Sequence, residues 1–247
     1  MNLPITMQGG LDACLLLALS TPLDDVAHIP LPPPLRLVTH RGHAFWNLVV
    51  CHIDKMRPMG VPRALGMSYH HVAYRFYVTV DTPQGPVSGL YFLHSQADNR
   101  LIGQTGNLVS NFRFHYGPVE LHERDGAVRA SGQSAGNAVR DGFLIRGQCQ
   151  QTGPTPLSNL FESRAQALAC LKYQPFGLAV GRGDRVRLAE VLRNESLWME
   201  RDFCVEEMRW NYLEAMGQHR TRLELATWVA PLPYRWRLGH SVQGLRG

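Results

Sequence analysis

Asn111, Arg113 and His115 stand two residues apart in a run interleaved with Phe112, Phe114 and Tyr116. Alternate side chains of an extended strand point to opposite faces, so the three polar groups share one face and the three aromatics the other. The same alternation over 71–78 sets His71, Ala73, Arg75 and Tyr77 against Val72, Tyr74, Phe76 and Val78. A guanidinium pairs with carboxylates as a planar fork, and an imidazole moves protons near neutral pH. If both polar faces line a cavity, Arg113 and His115 form a catalytic pair, anion clamp and general acid or base, while Arg75, His71 and Asn111 bind substrate. If they do not, both are the wet faces of half-buried strands. The residues leave the two readings open. Acidic residues are scarce around Arg113, and a buried guanidinium without a partner costs several kcal/mol. On the cavity reading Arg113 therefore opens onto a water-filled pocket and binds anions.

Other constellations carry less chemistry. His70 and His71 are adjacent, so in a strand they point apart, and His40 and His43 have no supporting carboxylates. No metal site is expected. Gly103-Gln104-Thr105-Gly106-Asn107 lacks the Lys-Ser/Thr ending of a phosphate loop and reads as a turn before a strand. No cofactor is expected.

The elements that must position these residues are mostly strands. Runs rich in β-branched and aromatic residues predict strands over 44–53, 72–80, 87–94, 108–121, 127–131, 186–193, 203–212 and 223–229. The stretch 203–212 also tolerates a helix. Thr82–Pro86 and Glu123–Gly126 read as hairpin turns, and the clearest helix spans Leu160 to Tyr173. Strands outnumber helices, which predicts an α+β, mainly β fold: a curved antiparallel β-barrel or sheet with a few peripheral helices. The proline-rich residues 30–34 read as a loop inside one domain covering 1–247.

Apolar residues make up 45% of the 247 and charged residues 18%, a globular composition. The 25 basic residues include only two lysines, Lys55 and Lys172, and outnumber the acids by five. The arginines are scattered rather than clustered, which argues against a nucleic-acid partner. Five cysteines, an odd count with no two closely spaced, read as free thiols in a reducing compartment. The apolar run at 13–19 has no basic residue before it and is too short to span a bilayer. A cytoplasmic chain without membrane contact is expected; assembly of identical copies is left open.

Beyond these patterns, Met56–Pro62, Ser68–Val78, Gly89–Leu93, Gly106–Leu108 and Phe112–His115 follow one another in an order and spacing that resembles the uncharacterised YqjF-like family of the acetoacetate decarboxylase-like superfamily. The resemblance is good over about residues 30–130. It implies a β-barrel whose internal cavity admits small carbonyl compounds. In acetoacetate decarboxylase a cavity lysine of lowered pKa forms a Schiff base with the ketone. Its lysine pair falls on Phe114 and His115 here, and neither Lys55 nor Lys172 is near in sequence. Relatives place an acid four residues before the arginine matching Arg75, where this chain has His71. These departures imply a lysine-independent enzyme acting on a small oxo-acid or enolisable carbonyl compound. The alternative is a binding or sensing module that keeps the cavity without chemistry; a scaffold role is a third reading.

Overall fold

The computed structural model describes residues 5–110, 112–133, 142–150, 160–171 and 174–245. The chain opens with β1 (Ile5–Pro22) and a single helical turn, α1 (Leu23–Val26), followed by the two-residue strands β2 (Arg36–Leu37) and β3 (Thr39–His40). Three long strands come next: β4 (His43–Pro58), β5 (Met67–Thr82) and β6 (Gly85–Ala97). Helix α2 (Arg100–Ser110) leads to β7 (Phe114–Tyr116), the hairpin β8 (Val119–Arg124) and β9 (Ala127–Gly132), and β10 (Phe143–Gln150). The remainder is α3 (Arg164–Leu171), β11 (Phe176–Val180), β12 (Arg185–Leu192), β13 (Glu200–Trp210), α4 (Asn211–Ala215), β14 (Arg222–Val229) and β15 (Leu232–Gln243).

The apolar run at 13–19 belongs to β1, the strand on which the architecture turns. One edge of β1 pairs with β4 along its whole length. The other edge is shared: Ile5–Leu11 pairs with β15 and Cys14–Ser20 with β14. Hydrogen bonds thus run β4–β5–β6–β11–β12–β15–β1 and back to β4, a closed ring of seven strands. From the second half of β1 a branch continues through β14, β13, β10, β9 and β8. The pairing is not wholly antiparallel: β6 runs parallel to β11 and to β7.

Branch and ring bury opposite faces of the same strands. Leu15, Leu17, Trp46, Leu48, Val72 and Tyr74 pack toward the branch, against Ile145, Trp210 and Trp228. Cys14, Val49, Cys51, Ile53, Tyr69 and Ala73 pack inside the ring, with Phe92, Phe112 and Leu238. A strand dry on both faces needs an unbroken apolar run rather than an alternating one, which is why 13–19 resembles a signal core. It also sets aside one of the two open readings of 71–78. The face of β5 carrying His71, Ala73, Arg75 and Tyr77 is not in water; all four are buried.

Residues 100–110 are helical, so the strand expected over 108–121 begins only at Phe114, and the expected glycine turn lies within α2. The side chain of Asn99 accepts hydrogen bonds from the backbone of Leu101 and Ile102, starting the helix. The glycines are there for contact. A Cβ on Gly106 would stand 2.7 Å from the Phe114 ring, and one on Gly103 would crowd Tyr116. Asn107 completes the join, donating from Nδ2 to the Phe114 carbonyl and accepting the Phe114 N–H at Oδ1. The predicted helix over 160–173 is observed as Arg164–Leu171, residues 172–173 lying outside the described residues. The segment 203–212 is strand to Trp210 and enters α4 at Asn211.

Candidate functional site

The ring encloses a cavity of about 290 Å³. Antiparallel pairing places residues opposite one another side by side on one face, so its wall is read as rungs across β1, β4 and β5. Met56 and Met67 form one rung, Leu11, Ile53 and Tyr69 another, and Cys14, Cys51 and His71 a third. Leu16 and Val49 follow, and Arg75 stands beyond them, paired with Asn47. Helix α2 contributes Ile102, Thr105, Gly106 and Ser110 to the wall, and Phe112, Phe114, Tyr234 and Trp236 complete it. The Thr105 and Ser110 hydroxyls donate to the carbonyls of Leu101 and Gly106 in their own helix, so α2 presents little free polarity.

Arg75 is the charged group of this cavity and is only 7% exposed. Its Nη2 donates to Asn47 Oδ1, and its Cζ lies 5.3 Å from the centre of the Phe92 ring. Its Nε is buried without a hydrogen-bond partner. The network continues from Asn47 Nδ2 to the Tyr77 hydroxyl at 2.6 Å and from that hydroxyl to the Leu171 carbonyl at 3.0 Å. Every partner is neutral, so the guanidinium charge is uncompensated within this network. Burial pushes the Tyr77 phenol up to about 12.

His71 lies one rung-pair away, 5% exposed, with Nε2 unpartnered. Burial, reinforced by the Arg75 charge, lowers its pKa to about 3, so the imidazole is neutral at pH 7. Its ring packs 4.9 Å from that of Phe114. Burial likewise pushes the Cys51 thiol up to about 12, raises Cys14 and raises the Tyr69 phenol. A buried indole nitrogen, Trp236 Nε1, also has no partner. A second cavity, of about 400 Å³, adjoins the first, sharing Leu16 and Trp198 and adding Asn47, Tyr77, Arg193 and Glu200. The Arg193 guanidinium covers the Trp198 ring at 3.6 Å.

Of the residues singled out by sequence, His71 and Arg75 come together in the first cavity. Arg113 and His115 do not join them; both are exposed. Arg113 has a left-handed backbone, with φ 56°, and its Nη2 donates to the Tyr91 hydroxyl at 2.6 Å. His115 stacks on His94 at 4.7 Å. The expectation that Arg113 opens into the cavity is corrected. The run is not one strand, since β7 starts only at Phe114 and Tyr116 is exposed beside His115; the ring interior is apolar and takes Phe112 and Phe114. Asn111 lies outside the described residues. Phe114, where the resemblance lays a catalytic lysine, is a cavity wall residue. Lys55 is not in either wall, and Lys172 lies outside the described residues. His70 points away from His71 and pairs with Asp98 at 2.8 Å. Among the described residues no group of three His, Cys, Asp or Glu is placed to hold a metal, and no helix is long and apolar enough to cross a membrane.

Sequence reasoning missed Asn47, Cys14 and Cys51. Asn47 is a polar residue within the apolar run 44–50, a signal that could have marked it. The cysteines become neighbours only through the β1–β4 register.

A family model for DUF2071, described as an uncharacterized conserved protein (COG2071), matches residues 13–191. The chain belongs to this family. The matched DUF2071 span contains Cys14, Asn47, Cys51, His71 and Arg75, and the resemblance drawn from residues 56–115 is borne out. No curated protein matches the chain in sequence. Solved structures share the fold. Acetoacetate decarboxylase from Legionella pneumophila aligns with a TM-score of 0.60 at 9% identity, over 96% of this chain and 86% of its own. An acetoacetate decarboxylase-like enzyme from Sphingomonas wittichii RW1 gives 0.60 at 12% identity, over 98% and 94%. The enduracididine biosynthesis enzyme MppR, complexed with pyruvate, gives 0.54 at 9%, over 98% and 90%. This DUF2071 chain is therefore an acetoacetate decarboxylase-like fold, mainly β with few helices.

Proposed function

We propose that the protein is a small-molecule-binding module that takes an anionic carbonyl compound into the ring cavity, with Arg75 holding the anion and no lysine required. The observation that carries this is the buried Arg75 guanidinium, whose hydrogen-bond partner is the neutral Asn47 and whose Nε is unspent. Among the described residues no carboxylate lines this cavity. Burying a charge without a counter-charge costs several kcal/mol, and a bound carboxylate would supply one. The similar structures include a decarboxylase and a pyruvate complex, which supports oxo-acids as the first ligands to try. Calorimetric titration with pyruvate and acetoacetate tests the reading. Binding is expected in the native chain and absent in Arg75→Met; equal binding in both overturns it.

A second reading, a lysine-independent enzyme on the same ligand, is favoured by the unpartnered His71 Nε2. Efficient general bases have pKa values near the working pH, and His71 at about 3 is a poor one. Its neutral imidazole suits hydrogen-bond donation to a developing enolate oxygen instead. Exchange of the pyruvate methyl protons in deuterium oxide, followed by NMR, separates the two. Protein-dependent exchange favours the enzyme, and its absence favours the binder.

A further inference from the structure

The cavity has a direction. Resting on the reading of Arg75 as the anion site, we infer that the ligand is an elongated, largely apolar monocarboxylate, with its head at Arg75 and its tail running along β5 toward Ile5 and Pro58. Arg75 marks the buried end. Ile5 and Pro58 line the same cavity yet are exposed, Ile5 at 39%, so the mouth lies with them. The register puts Met56 and Met67 beside that mouth and Asn47 beside Arg75.

The eight-residue step from Met67 to Arg75 covers about 26 Å at about 3.3 Å per residue. Strands in closed sheets tilt by about 40°, which leaves about 20 Å along the ring axis. A two- or four-carbon acid would fill only the head of such a space. Between head and mouth the wall is chiefly aliphatic, thioether and aromatic. The hydroxyls of α2 are spent on its own carbonyls. The Tyr69 hydroxyl, His71 Nε2 and Trp236 Nε1 are polar groups along the way, room for an oxygen on an otherwise hydrocarbon body. Met59 and Leu65, near the mouth in sequence, are exposed apolar side chains.

The test is a calorimetric series on the full chain: acetate, hexanoate, octanoate and decanoate, with decanol and decyltrimethylammonium as head-group controls, all below their micellar concentrations. Affinity is expected to rise about fourfold per added methylene, and decanoate should bind at least tenfold better than either control. In Arg75→Met the preference for decanoate over decanol should vanish. Met67→Trp, which fills the mouth end, should truncate the gain beyond hexanoate. Short acids that bind through Arg75 with an affinity flat in chain length would overturn the elongated ligand and leave the anion site standing. Decanoate, decanol and decyltrimethylammonium binding alike would overturn both.

Discussion

The Arg75 guanidinium donates to the side-chain oxygen of Asn47, its neighbour across the β4–β5 pair. Asn47 in turn donates to Tyr77, so one amide organises the polar end of the cavity.

Replacing that amide separates stability from binding. Asn47→Leu removes the acceptor from a buried guanidinium, and it should lower unfolding free energy by about 2–3 kcal/mol in urea titrations. Asn47→Asp should keep the fold. It places a carboxylate against Arg75, and the internal ion pair should weaken carboxylate binding at least tenfold by calorimetry.

His71 links stability to pH. Folded, it takes a proton only near pH 3; its ordinary value is 6.5. Between these values the unfolded chain binds more protons, so the contribution is complete above pH 6.5 and is lost as pH falls through the window. The slope is at most about 1.4 kcal/mol per pH unit. Urea midpoints measured from pH 7 to pH 4 should fall less steeply in His71→Gln than in the native chain.

Arg113→Ala and His115→Ala should bind carboxylates as the native chain does, since both side chains are exposed. Arg113→Ala should cost no more than about 1 kcal/mol of stability, the worth of its bond to Tyr91. A tenfold loss of carboxylate affinity in either variant would return the site to that face.

Cys14 and Cys51 are buried, and burial raises both thiol pKa values, whereas Cys204 is exposed. A thiol reagent should modify Cys204 at once and Cys14 and Cys51 only as the chain opens. Denatured, freshly reduced protein should titrate with all five thiols.

Strands β4, β5 and β6 were legible because their signals are local, whereas β1, seen only as an apolar run, and β15 were not expected as strands. The β-branched runs of β4, β5 and β6 and the turn at Pro83-Gln84 need only neighbouring residues to be read. Helix α2 was not legible, because Gly103 and Gly106 mark a turn unless one knows that β7 presses against them. At the site, alternation correctly grouped His71 with Arg75, but Arg113, with its left-handed backbone, lies before β7 begins. Alternation could not say which face lay inside, since that depends on ring closure by β15, more than a hundred residues away. The error at Arg113 came from expecting a ligand cavity to be polar. This one is apolar with a single charged end, so Phe112 and Phe114 went in, while Tyr116 stayed exposed.

The shared strand β1 has a consequence for how the protein is made. Its partners on one edge, residues 222–238, are synthesised about two hundred residues after its apolar run. Until they emerge, a growing chain carries residues 13–19 as a sticky, half-hydrogen-bonded edge. Translation pauses or premature stops before residue 222 therefore leave a template for aggregation rather than a smaller folded piece. That edge must stay shielded until the strands that cover it have emerged.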